Sequence, residues 1–205
     1  MRNIRKKYLI SDYEFIYLRH ELLQNGFSLT HAIITEFMFK YSKFGNTFPF
    51  PISCITTATG ISNDTIYKCI DKLKKCGHIR KNESSLYEFS EAFIEEHENM
   101  CSRVKRENFS YSIIPFHYVG KLGLNFQEYA LLDSFRNLTK KSPLRYHPKY
   151  FAKIFNFDES YYYILRKRLH EKKCIKIHYL NFLELTPKAK QKMEDFLKNC
   201  PNIQL

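Results

Sequence analysis

The sequence predicts an α+β fold, mainly α-helical, made of two like units in which a three-helix core carries a β-hairpin. Three observations carry that expectation. Apolar residues at helical spacing lie between clear start and stop signals, and each such helix leads into two short extended runs. The whole pattern then returns after 96 residues, so that Ile61, Ser62, Ile66, Cys69, Leu73 and Ile79 meet Phe157, Asp158, Tyr162, Leu165, Leu169 and Ile175. A period that long means two like domains and not a solenoid.

The first unit reads in order. Phe15–Leu18 is a β-prone run; Ser11 and Glu14 have capping-box spacing and offer a rival helix over Ser11–Gln24. The repeat, which places Tyr111–Ile114 at the matching position, favours a strand followed by a helical turn at His20–Gln24. Leu29-Thr30 precede a helix over Ala32–Tyr41, and the polar loop Ser42–Phe50 follows. Pro49 and Pro51 then lead to Ser53, the expected N-cap of a short helix at Cys54–Thr59. Gly60 punctuates the turn and Ser62 caps a helix over Asn63–Lys75. Ile66, Ile70 and Leu73 share its inner face, and Gly77 stands where a helix stops in the left-handed conformation. His78–Lys81 and Leu86–Phe89, joined by the polar Asn82–Ser85, form the hairpin.

Phe93, Ile94, Met100, Cys101 and Val104 fit a loose helical stripe, so residues 90–108 read as a linker helix between units at 1–89 and 109–205. In the second unit Leu124-Asn125 precede a helix at Gln127–Leu138, and Lys140–His147 is a polar loop. Pro148 sits at the start of Lys149–Ile154, Asp158 is the next N-cap, and Tyr162, Leu165 and Leu169 make the buried stripe. Ile175–Tyr179 and Phe182–Leu185 form the second hairpin around Leu180-Asn181. Thr186 caps a closing helix with Pro187 in its first turn and Ala189, Met193, Phe196 and Leu197 on one face.

Pro51-Ile52-Ser53 through Thr59-Gly60-Ile61-Ser62, then Thr65-Ile66 and Leu73 to Gly77-His78-Ile79, resembles the winged helix-turn-helix domains of phage and plasmid replication proteins and of many bacterial transcription regulators. Leu185-Thr186-Pro187-Lys188 is similar to the segment just after the wing in MarR- and PadR-type regulators. The second unit departs from the pattern at Asn156, where the turn glycine belongs, and at Lys173, opposite Gly77. The resemblance implies two winged helix-turn-helix domains that bind double-stranded DNA. It makes Asn63, Asp64, Thr65, Tyr67 and Lys68 the base-proximal group, with Thr65 also a phosphate anchor. Lys72, Lys74, Lys75, Arg80 and Lys81 become phosphate contacts, which position a protein without specifying sequence. Tyr163, Arg166, Lys167 and His170 are the matching group of the second unit. Two winged helices in one chain also resemble plasmid replication initiators, which use such a pair on origin repeats.

Charge points the same way. The net charge is +12 and the pI near 9.3, which makes a polyanion the default partner. Residues 1–100 hold 13 Lys+Arg against 12 Asp+Glu, and residues 101–205 hold 20 against 9. Glu83, Glu88, Glu91, Glu95, Glu96 and Glu98 crowd the end of the first half, a solvated face away from a duplex.

Other function classes find little support. No apolar run approaches the eighteen or so residues of a membrane span. The basic start Met1–Lys7 is followed by Ser11, Asp12 and Glu14 in place of a signal-peptide core. The six cysteines then belong in a reducing cytosol as free thiols, which places the protein in the cytoplasm on the nucleoid. Cys76 with His78, and His170, Cys174 and His178, do not complete a tetrahedral zinc set. Tyr161-Tyr162-Tyr163 lacks the histidine pair or arginine pocket that a nucleophilic tyrosine requires, and no glycine-rich phosphate loop is present. The sequence therefore predicts no enzyme, no cofactor and no metal. Three roles follow: a sequence-specific transcription regulator, a plasmid or phage replication initiator, and a protein-interaction adaptor whose apolar second hairpin and closing helix dock a partner. A second copy, joined through the linker or closing helix, is the candidate protein partner.

Overall fold

The computed structural model describes residues 15–42, 46–104, 111–115, 119, 122–138, 147–178 and 182–199. It is an α+β fold, mainly helical, with small antiparallel sheets. The first unit runs β1 (Phe15–Arg19), α1 (His20–Gln24), α2 (Leu29–Tyr41), β2 (Thr47–Phe48), α3 (Ile52–Thr59), α4 (Asn63–Lys75), β3 (Ile79–Lys81), β4 (Tyr87–Phe89) and α5 (Glu91–Val104). The second runs β5 (Tyr111–Pro115), α6 (Phe126–Leu138), α7 (Pro148–Phe155), α8 (Glu159–Glu171), β6 (Ile175–Ile177), β7 (Leu183–Leu185) and α9 (Pro187–Asn199). The expected basic start, the loop at 140–146 and the hairpin tip at 179–181 lie outside the described residues.

Local chemistry sets most boundaries. Ser62 accepts a hydrogen bond from the Thr65 N–H and starts α4. Gly77, at φ 72, stops it. Helix α2 begins earlier than Ala32: the Ser28 side chain accepts from the His31 N–H, so Leu29 already lies in the helix. Ser53 is not the cap of α3, which starts at Ile52 with Pro51 in the cap position. Asp158 holds the cap position of α8 without a capping bond from its side chain. At α6, Asn125 and Glu128 bond each other's backbone N–H at 2.8 Å, a reciprocal capping box. Asn156 and Lys173 keep the left-handed backbone of Gly60 and Gly77, at φ 49 and 55, so the fold is repeated where the residue type is not.

A Cβ at Gly77 would meet nothing within 4 Å, so only the backbone conformation penalises a side chain there. Gly77→Ala is expected to cost about 1 kcal/mol. Lys173→Gly should move stability the other way by less, because glycine also loosens the unfolded chain. Urea midpoints of the two variants check the signs.

The repeat extends beyond α3, α4 and the hairpin. Helix α5 occupies the position in its unit that α9 occupies in the second, starting 96 residues earlier. It packs on its own unit: Phe93 is buried, stacked on Phe89 with ring centres 5.3 Å apart and 4.8 Å from His78. A short strand missed in the Ser42–Phe50 loop, β2, pairs with β4, making the first hairpin a three-stranded sheet of order β2-β4-β3. The second hairpin is two-stranded.

The units meet through β1 and β5, which pair antiparallel with Tyr17 opposite Ile113. Those two residues are equivalents in the repeat, so a local twofold axis passes between them. Thr30 and Gln127, each the second residue of its helix in α2 and α6, where the repeat slips by one residue, are a second equivalent pair across the units and are hydrogen-bonded at 2.6 Å. Two such points define an approximate twofold relating the units. Ile16, Leu18 and Ile114 point from the strand pair into one core that runs through both units. Phe15 and Ile113 face the other way and are covered by Phe196 of α9.

Candidate nucleic-acid interface

Helix α4 divides cleanly by exposure. Ile66, Cys69, Ile70 and Leu73 are buried, whereas Asn63, Asp64, Tyr67, Lys68, Asp71, Lys72 and Lys75 are exposed. The Lys and Tyr side chains therefore stand out from a scaffold that fixes their backbone. Its first turn is braced: the Thr56 hydroxyl donates to the Asn63 side-chain oxygen, tying α3 to α4. Thr65 is half-buried and its hydroxyl lies 2.9 Å from that of Ser62, which makes it a partner of the cap before anything else.

The cations differ in how they are held. Lys72 donates to the Gly26 carbonyl at 3.3 Å, and Arg80 pairs with Glu88 at 3.2 Å. Lys74 and Lys81 lie over the Tyr87 ring, at 5.2 and 5.8 Å from its centre. These contacts leave the charges exposed on the outer surface of α4 and the hairpin. Tyr67, half exposed at 50%, and Lys68 are exposed on the same helix.

Helix α8 repeats the layout with other side chains. Tyr162, Leu165 and Leu169 are buried, and Tyr163 and Lys167 are exposed. Arg166 is only half-buried and lies over Tyr163, 5.0 Å from the ring centre, instead of standing outward alone. His170 is exposed but its Nδ1 is bonded to the Ile175 carbonyl, 3.2 Å away. The sequence reading passed over Ile164, which is 45% exposed beside Tyr163 at 46%. The signal was present, since the stripe that buries Tyr162, Leu165 and Leu169 puts residue 164 on the opposite face.

The residues set aside as chemistry are core or isolated. Tyr162 is stacked on Phe151, and burial pushes its phenol up to about 12. Burial likewise takes the Cys69 thiol to about 11. Among the described residues no three His, Cys, Asp or Glu are placed to hold a metal ion, and no helix is long and apolar enough to cross a membrane. Comparison of the chain with models of protein families, with curated proteins and with solved structures finds no match.

Proposed function

We propose that this chain is a sequence-specific double-stranded DNA-binding protein built of two winged helix-turn-helix units, acting as a transcription regulator in the cytoplasm. The observation that carries the reading is α4: a helix buried on one face and presenting Tyr67, Lys68, Lys72 and Lys75 on the other, in a chain of net charge +12. Helices of this kind lie in the major groove with their outward residues against base edges while flanking cations take the phosphates.

Salt titration tests it. With several phosphates neutralised, log affinity for duplex DNA should fall linearly with log salt, with a slope of about −0.9 per phosphate. A flat response would remove groove binding. Replacing Tyr67 and Lys68 together by alanine is expected to cost roughly 1–3 kcal/mol of discrimination between specific and random duplex if either makes a good base contact. An adaptor would keep its partner through that change.

The twofold relation between units favours a second reading, a plasmid or phage replication initiator whose two units bind origin repeats as one body. Nuclease protection by the monomeric chain over a site longer than one unit covers supports that role. Protection of a short half-site, with dimers required for more, supports the regulator.

A further inference from the structure

Resting on the DNA-binding reading, we infer that the chain recognises one composite site of two unlike half-sites in inverted orientation, with Tyr67 and Tyr163 each set against a thymine methyl while Lys68 takes guanine and Ile164 takes thymine at the matching positions. The orientation follows from the twofold. Tyr17 faces Ile113 in the β1–β5 register and Thr30 bonds Gln127, both pairs of equivalents. Helices α4 and α8 both approach the Thr30–Gln127 end of that axis. The Tyr161 hydroxyl of α8 donates to Gln127 at 3.0 Å. Lys72 of α4 reaches the Gly26 carbonyl, and the next carbonyl, of Phe27, accepts from Asn156 just before α8 at 3.1 Å. Groove-reading helices related by a dyad read half-sites related by the same dyad.

The unlike half-sites follow from the side chains. Residues 67 and 163 are equivalent, both tyrosine, and exposed to nearly the same degree, 50% and 46%. One step on, the equivalent residues are Lys68 and Ile164, both exposed. A lysine ammonium donates to the O6 and N7 acceptors that guanine alone presents as a pair in the major groove. An isoleucine offers no hydrogen bond and gains only by covering apolar surface, which in that groove means the thymine C5 methyl. An isoleucine left 45% exposed on a helix rimmed by Lys167 and Arg168 is accounted for by such a contact. The tyrosine rings supply it at the position the two helices share.

The test starts from the full chain and a pool of random duplexes. The enriched sequence is expected to contain two inverted, non-identical half-sites. In that duplex, changing dT to dU under either tyrosine removes one methyl and should weaken binding about fourfold, the worth of one methyl-sized apolar group. The penalty should persist in Tyr67→Phe and vanish in Tyr67→Ala. Repeating the selection with Lys68→Ile should move the preferred base in one half-site from guanine to thymine, and with Ile164→Lys the reverse in the other. A single half-site, two half-sites in direct orientation, indifference to dU, or swaps that leave the preferences unchanged would each overturn the inference while DNA binding stood. Failure to enrich any duplex would remove the DNA-binding reading and this inference together. The orientation and dU arms use the unaltered protein, so the inference stays falsifiable even where a variant fails to fold.

Discussion

Replacing Glu36 by alanine is expected to destabilise the fold by about 3–5 kcal/mol, the usual cost of removing one partner from a buried ion pair. Glu36 lies inside the first unit, only 3% exposed, on the face of α2 that meets β1 and α5. Its carboxylate accepts from the Arg19 guanidinium and the Arg19 backbone N–H, and lies 3.2 Å from Nε2 of the fully buried His97. Removing it leaves a guanidinium and an imidazole in a low-dielectric pocket without the charge arranged for them. For a chain of this length the loss corresponds to a fall in melting temperature of about 10 °C. The same group sets an acid limit. Burial alone would raise the Glu36 carboxyl, but the Arg19 charge and then the bond and charge of His97 overcome it and hold it below its ordinary value. A carboxyl lowered in the folded state stabilises above its unfolded-state value, here 4.5, and loses that contribution as the pH falls through the folded value. Wild type should therefore lose stability on acidification below that point, and the gap to Glu36→Ala should narrow. Thermal melts of both proteins from neutral pH downward check the size and the narrowing; a gap that stayed constant with pH would show that Glu36 acts by packing alone.

This network was illegible in the sequence, and the reason is physical. Helix α4 could be read to its bounds because it is half buried: a cap, a stripe at spacings of four and three, and a terminal glycine all speak at once. Helix α2 buries Leu29, Ala32, Ile33, Ile34, Thr35, Glu36, Phe37 and Met38, nearly all round. Burial on every side erases the periodic signal, so the sequence predicts its start three residues late and does not single out its one acidic residue. His97 likewise sat in a run of glutamates that reads as solvated. Strand β2 spans only Thr47–Phe48 and exists because Tyr87 and Glu88 pair with it, a tertiary cause no local pattern announces. The repeat was visible at the conserved spacings of caps and stripes. Its full reach was not, because the β1–β5 register that turns duplication into a twofold is a property of two segments almost a hundred residues apart. On the outward faces of α4 and α8 the polar set of α4 was legible from its spacing, whereas Arg166 and His170 carry charge-bearing names but are partly engaged by Tyr163 and the Ile175 carbonyl.

Leu18→Pro should be the more damaging change, because it strikes both the core and the joint between the units. The Arg19 N–H donates to Glu36 and the Ile113 N–H to Asp133 at 3.1 Å. The amides of Arg19 and Ile113 thus face the helices, and alternation leaves Ile16, Leu18, Ser112 and Ile114 to carry the ladder between β1 and β5. A proline at 18 removes the amide that serves the Leu18–Ser112 pair. It also deletes a leucine with no exposed surface, worth about 2–5 kcal/mol on its own. Together these approach the whole stability of an ordinary domain, about 5–15 kcal/mol. One continuous core joins the two units, so the damage should not stay local. Wild type is expected to melt in a single transition, and Leu18→Pro to be unfolded or nearly so at 25 °C, with the second unit's signal lost along with the first. Circular dichroism for helix content and hydrogen exchange resolved by segment distinguish the outcomes. If amides in 159–171 kept wild-type protection while those in 63–75 lost theirs, the units would be independent bodies and the twofold would no longer fix α4 relative to α8.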